Sequence, residues 1–145
     1  MTHYEHSQSQ GAIAAVVLVA AVFTFITAFV GGAAALFLPP ILLSLVAALG
    51  FAMSKLTTSV DDQAVRAAFR WGRPERVIPL ADIGAARVVR NKWWYGLGVR
   101  VIPGATMFNV WGLDAVELEL PGRNFRIGTD DAERLAAAIE HQRAA

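Results

Sequence analysis

Residues 11–54 read GAIAAVVLVAAVFTFITAFVGGAAALFLPPILLSLVAALGFAMS, and no formal charge falls between Glu5 and Lys55. A run of this kind decides the fold, because an apolar stretch of about twenty residues reaches about 30 Å as a helix, the thickness of a bilayer's hydrocarbon core. Residues 11–30 meet that length. Gly31-Gly32 then loosens the chain, and a second apolar run starts between Ala33 and Pro40 and ends at Ser54. If its helix begins near Pro39, both prolines occupy the first turn, where a missing amide donor costs little; a start at Ala33 would kink it. The first placement is favoured. The expectation is a two-helix transmembrane hairpin over 11–54, preceded by a polar tail over 1–10.

A cleaved signal peptide is disfavoured for the first run, because His3-Tyr4-Glu5-His6 carries no Lys or Arg and the apolar segment exceeds a usual signal core. Basic residues near the spans are Lys55, Arg66, Arg70 and Arg73, all after the second run. A multi-pass protein of the cell (inner or plasma) membrane with both termini cytoplasmic is therefore expected. Small residues recur at four-residue spacing, Ala20, Thr24, Ala28 and Gly32 in the first run and Ser44, Ala48 and Ala52 in the second, which is helix-packing spacing. An Ala-rich chain also produces such stripes by chance. Inside both runs the polar groups are Ser and Thr alone, so a transporter or channel is disfavoured.

Across all 145 residues, 55% are hydrophobic and 17% charged, too apolar for one soluble globule. All 13 Lys and Arg residues lie from Lys55 onward among nearly as many acids, a balance that disfavours nucleic acid as a partner. The absence of cysteine excludes disulfides, thiol catalysis and Cys-ligated metals.

From Leu56 the apolar pattern acquires a period of two. Strands are expected over 56–60, 64–71, 76–79, 84–90, 98–102, 106–110, 115–120 and 124–128, separated by Asp61-Asp62-Gln63, Gly72-Arg73-Pro74, Pro103-Gly104, Gly112 and Pro121-Gly122. Val65, Ala67, Phe69 and Trp71 share one face against Arg66 and Arg70; Val116, Leu118 and Leu120 alternate with Glu117 and Glu119. Asp130 and Glu133 have capping-box spacing before Ala132, Leu135, Ala136 and Ile139, so a helix closes the chain. The reading is an α+β membrane protein: the hairpin, then over 55–145 a mainly antiparallel bent sheet or open barrel of seven or eight strands capped by one helix.

The ordered set Leu80-Ala81-Asp82-Ile83, Tyr95-Gly96-Leu97-Gly98-Val99-Arg100, Asn109-Val110-Trp111-Gly112, Ala115-Val116-Glu117-Leu118 and Phe125-Arg126-Ile127-Gly128-Thr129-Asp130-Asp131 resembles the bacterial pleckstrin-homology-like domain of small membrane proteins. The preceding hairpin fits the same resemblance, which departs at Ala105-Thr106-Met107-Phe108. It implies that fold and a membrane setting, and it implies no reaction, because members of the family are mostly membrane proteins of unassigned function.

Candidate chemistry is sparse. The β-domain's serines have no histidine near them in sequence, so a nucleophilic triad is disfavoured, and no metal or cofactor is expected. His3-Tyr4-Glu5-His6 reads as a disordered end, Asp61/Asp62 as a turn, Asp130/Asp131 as a helix cap, and Gly96-Leu97-Gly98 as a loop beside a strand. Arg87, Arg90, Lys92, Trp93, Trp94, Tyr95 and Arg100 gather four cations and three aromatics around one connection, a composition suited to a bilayer interface with anionic headgroups, or to a barrel core with a solvated rim. The expected function is a non-enzymatic, membrane-anchored binding or scaffold module facing a protein partner or lipid headgroups. A homo-oligomer built through the small-residue stripes is the alternative. An interfacial lipid-modifying enzyme, using Asp82, Asp114 or Glu117 as base, ranks last because alternation places Glu117 on a solvent face.

Overall fold

The computed structural model describes residues 2–31 and 38–145, some side chains of the first two helices excepted. The chain starts with a strand. β1 (Thr2–Ser9) pairs antiparallel with β2 (Lys55–Asp61), placing Tyr4 opposite Val60, His6 opposite Thr58 and Gln8 opposite Leu56. Its inward side chains are polar or aromatic rather than aliphatic, so the period of two is present without a hydrophobic signal, and the tail expected to be disordered is an edge strand of the sheet.

Between these two paired strands stand α1 (Gly11–Gly31) and α2 (Leu38–Ala52), which pack on each other. Pro39 and Pro40 fall in the first turn of α2. Among the described residues, no helix is long and apolar enough to cross a membrane. α2 has 15 residues and rises about 22 Å, short of the hydrocarbon core. α1 has 21 residues, several with side chains outside those described. The expected two-span transmembrane hairpin is thus corrected to a helical hairpin inserted at a β1/β2 connection. With it go the membrane and transmembrane assignments and the multi-pass placement with both termini cytoplasmic.

The expected single bent sheet or barrel over 55–145 is also corrected: that stretch does form eight strands, but among the described residues they and β1 divide between two sheets. The first sheet has the order β1-β2-β3-β4, with β3 (Ala64–Phe69) and β4 (Glu75–Pro79). The second has five strands: β5 (Ala86–Arg90), β6 (Gly98–Ile102), β7 (Ala105–Asn109), β8 (Asp114–Leu118) and β9 (Asn124–Gly128), in the order β5-β8-β9-β7-β6. Within it β7 and β9 run parallel.

The inner faces of both sheets meet in one core. Leu56, Val60 and Phe69 from the first sheet meet Phe108, Leu118 and Ile127 from the second, and all are buried. Phe108 stands at the centre, 5.2 Å from the Phe69 ring and 5.0 Å from Phe125, the tilted and edge-on contacts that aromatic quadrupoles favour. The helix α3 (Ala132–Ala144) closes the core with Ala132, Leu135, Ala136 and Ile139, one apolar face at helical spacing. Removing Leu135 or Phe108 to alanine would cost about 2–5 kcal/mol.

The expected capping box does not form. Asp131 is the N-cap and makes no side-chain cap bond. Both acids instead reach β1: Asp131 accepts from the Tyr4 hydroxyl at 3.2 Å, and Asp130 lies 2.6 Å from His6 Nε2. At the other end of β1, His3 meets Asp62.

Candidate functional site

The turn joining β5 to β6 crosses the end of the five-stranded sheet, because those strands are its two opposite edges. Trp93, Trp94 and Tyr95 form a single 3₁₀ turn in it. Tyr95 folds back onto a second, smaller apolar cluster of Ile102, Ala105 and Met107, on the face of the sheet away from the main core. That contact anchors the turn and leaves its neighbours outward: Trp93 and Trp94 are exposed and edge-on to each other, ring centroids 5.7 Å apart. Lys92 Nζ stands 5.2 Å from the Trp94 ring, within cation–π range, and has no carboxylate partner among the described residues.

Not all seven residues expected at this surface come together. Arg87 lies on β5 and pairs with Glu119 at 3.3 Å; Arg100 lies on β6 and donates from Nε to the Leu97 carbonyl at 2.9 Å. Four strand spacings, about 19 Å along the sheet, separate those two edges. Lys92, Trp93 and Trp94 form the exposed group, with the exposed Arg90 just before them on β5.

The sequence reading missed Trp111. It follows β7, is exposed, and shares with Lys92, Trp93, Leu97 and Asn109 a cavity of about 300 Å³. Its segment is held from three directions: Gln8 Nε2 donates to the Trp111 carbonyl at 3.2 Å, Asn109 Nδ2 to the Gly112 carbonyl at 3.2 Å, and the Asn91 amide to the Leu113 carbonyl at 2.6 Å. Gln8, Asn91 and Asn109 are all buried, and Gln8 Oε1, Asn91 Nδ2 and Asn109 Oδ1 have no hydrogen-bond partner among the described residues. Keeping half of each side-chain amide unpaired is costly; for Gln8 and Asn109 the paired half fixes this segment, whereas Asn91 Oδ1 accepts from Arg126 and only the Asn91 backbone amide holds Leu113.

Trp71 is the other surprise. Alternation put it on the buried face with Val65, Ala67 and Phe69, but the strand ends at Phe69, where the Gly72 amide turns back onto the Phe69 carbonyl at 2.7 Å. Trp71 is released outward and rests 6.1 Å from the Phe51 ring at the end of α2. Beside it, Arg70 reaches the same helix end: Nε donates to the Phe51 carbonyl at 3.2 Å, Nη2 to Ser54 Oγ at 2.9 Å, and the guanidinium lies 4.2 Å from the Phe51 ring. α2 has no basic residue in its own last turn, so Arg70 supplies from β3 the cation that a helix C-terminus favours.

All four tryptophans are therefore 58–77% exposed, and three of them connect to the foot of the helical hairpin. Trp71 touches it through Phe51, Trp111 is fixed by Gln8 just before it, and Trp93 borders the cavity wall formed by Leu97. A second cavity of about 270 Å³ runs from Leu97 to Met53, Leu49 and Val46 on α2. The hairpin above the foot exposes the large apolar side chains Leu18, Val22, Phe25, Phe29 and Leu45.

Of the stripe residues, Ala20 and Thr24 are half-buried, with Thr24 Oγ1 donating to the Ala20 carbonyl at 2.9 Å; Ser44 and Ala48 are exposed and Ala52 half-buried. Gly32 and the Ala28 side chain lie outside the described residues. The acids named as candidate bases are scattered: Asp82 and Asp114 are exposed on separate elements, and Glu117 accepts from Arg126 Nε at 2.5 Å. Among the described residues no cluster of His, Asp and Glu has the grouping to hold a metal.

No family model, no curated protein and no solved structure matches the chain.

Proposed function

We propose that the protein is a non-enzymatic binding module whose tryptophan-collared end makes contact with a lipid surface. The observation that carries this reading is the set of four exposed tryptophans beside an apolar, charge-free hairpin, with Lys92 against the Trp94 ring and Arg70 against Phe51 at the hairpin's end. Water does not favour such a surface, whereas indole rings and cations side by side suit the headgroup layer, where each basic residue adds about 1 kcal/mol toward anionic lipid. Contact of this kind requires no crossing of the bilayer.

The test uses the full chain with phospholipid vesicles and four variants that each keep one tryptophan, the other three replaced by phenylalanine. Acyl chains brominated close to the headgroup should quench all four tryptophans, and chains brominated near their ends should quench them little. Anionic vesicles should give stronger quenching than neutral ones at low salt, a difference that Lys92→Glu reduces. Absence of quenching at every position would overturn the reading and assign the collar to a protein partner.

A further inference from the structure

The two cavities beside Leu97 differ in chemistry and adjoin each other. The one along α2 is walled by Val46, Leu49, Met53, Leu97 and Val110, and its polar neighbours Gln10 and Ser54 bind each other through their backbones at 2.8 Å. The other opens between Trp93 and Trp111 with Lys92 at its margin. Leu97 lines both. Gly98 keeps the junction narrow but open: its φ of +85° is a conformation that side chains rarely adopt, and a Cβ there would stand 3.4 Å from Met53 Sδ.

We propose that these cavities form one site for a single anionic phospholipid, with an acyl chain along α2 and the charged head at Lys92. This rests on the lipid-contact reading and names its ligand. Each part has a reason. A wall that is mainly aliphatic, with the Gln10 side-chain amide as its one free donor and acceptor among the described residues, takes a hydrocarbon chain and leaves most of a peptide backbone's amides unpaired. At the other end, Lys92 has no carboxylate partner among the described residues and stands in front of aromatic rings, so a phosphate would complete its charge pairing. Asn109 Nδ2 is engaged with the Gly112 carbonyl, which makes Asn109 a positioning residue for the wall rather than a ligand group. An occupant apolar at one end and anionic at the other matches both halves at once.

The experiment is native mass spectrometry of the full chain in a non-ionic detergent, with phosphatidylglycerol or phosphatidylcholine added. One phosphatidylglycerol per chain should be retained, about fivefold more tightly than phosphatidylcholine, the discrimination expected of one cation. Leu49→Trp or Val46→Trp, each an exposed position on α2, should fill the apolar half and abolish the adduct with the melting temperature unchanged. Lys92→Ala should keep an adduct and lose the preference between lipids. Adducts that persist at wild-type level in both plugged variants, adducts of no fixed stoichiometry, or protein dimers in place of lipid adducts would each overturn the proposal. Vesicle quenching without any retained lipid would overturn this site and leave the surface contact standing. Retained lipid without vesicle quenching would overturn the surface contact, and this site's role in it.

Discussion

Gly128 shows how narrowly single positions are set. A Cβ built there would overlap Asn109 Oδ1 and lie 3.1 Å from the Asn109 Cα, where both residues are buried. Gly128→Ala should therefore destabilise the protein by about 1–3 kcal/mol in chemical denaturation, and Asn109→Ala in the same chain should recover only part of that, because the backbone contact remains. Asp61 is set by hydrogen bonding instead. The amides of Gln63 and Ala64 donate to its carboxylate at 2.9 and 2.8 Å and, with Arg66, hold its carboxyl below the ordinary 3.8. A depressed folded pKa contributes stability above pH 3.8 that is lost as pH falls from there through the folded value. Asp61→Asn retains an acceptor without the charge, so thermal melts of variant and wild type should converge below pH 3.8 and stay apart at neutral pH. Tyr4 works in the opposite sense. Burial, then the Asp131 charge, raises its hydroxyl above the ordinary 10.0, so this contribution is complete below pH 10.0 and declines at higher pH.

At the scale of elements, the cross-strand pair Glu117 and Arg126 holds β8 to β9. The two residues are directly opposite in register, about one fifth exposed, and Arg126 Nη1 also donates to Asn91 Oδ1 at 3.2 Å. Arg126→Leu leaves Glu117 without its cation and Asn91 without its donor, which should cost about 1–2 kcal/mol after allowance for residual solvent; Glu117→Gln with Arg126→Leu should cost less than Arg126→Leu alone. Much of this level was legible in the sequence: the alternation of Val116, Leu118, Phe125 and Ile127, the Asp61 turn, and the closing helix all depend on neighbours in the chain. What was not legible depends on distant partners. β1 hides because Tyr4, His6 and Gln8 face inward where aliphatic residues signal a strand, and their usefulness is set by Asp131, Asp130 and Trp111 far along the chain. The parallel pairing of β7 with β9 hides because turn residues report only that strands follow one another. The tryptophan collar was half legible: the Trp93-Trp94-Tyr95 cluster stands out by composition, whereas Trp71 reads as core until the early end of β3 is seen, and Trp111 gains meaning only from the three amides that hold its segment.

Over the whole molecule, the helical hairpin joins the sheets by two chain crossings, by Arg70 and by the Trp71 ring against Phe51. Ser9 pairs with Lys55, the Gln10 amide donates to the Ser54 carbonyl, and Arg70 clasps Phe51 and Ser54. Arg70→Ala should leave the sheet core intact, with an unchanged melting transition to within about 1 kcal/mol, while hydrogen exchange at the last turn of α2 quickens several-fold; protection equal to wild type there would mean that the strand pairing alone holds the foot. A helix pair fixed at both of its ends has no swivel. Any body that grips the hairpin thereby chooses the compass bearing of everything else, so α3, the Glu140 and Arg143 pair and the open edge of β4 face a direction set by the grip rather than by diffusion about a tether. The protein is in this sense a bracket, and its outward face is aimed.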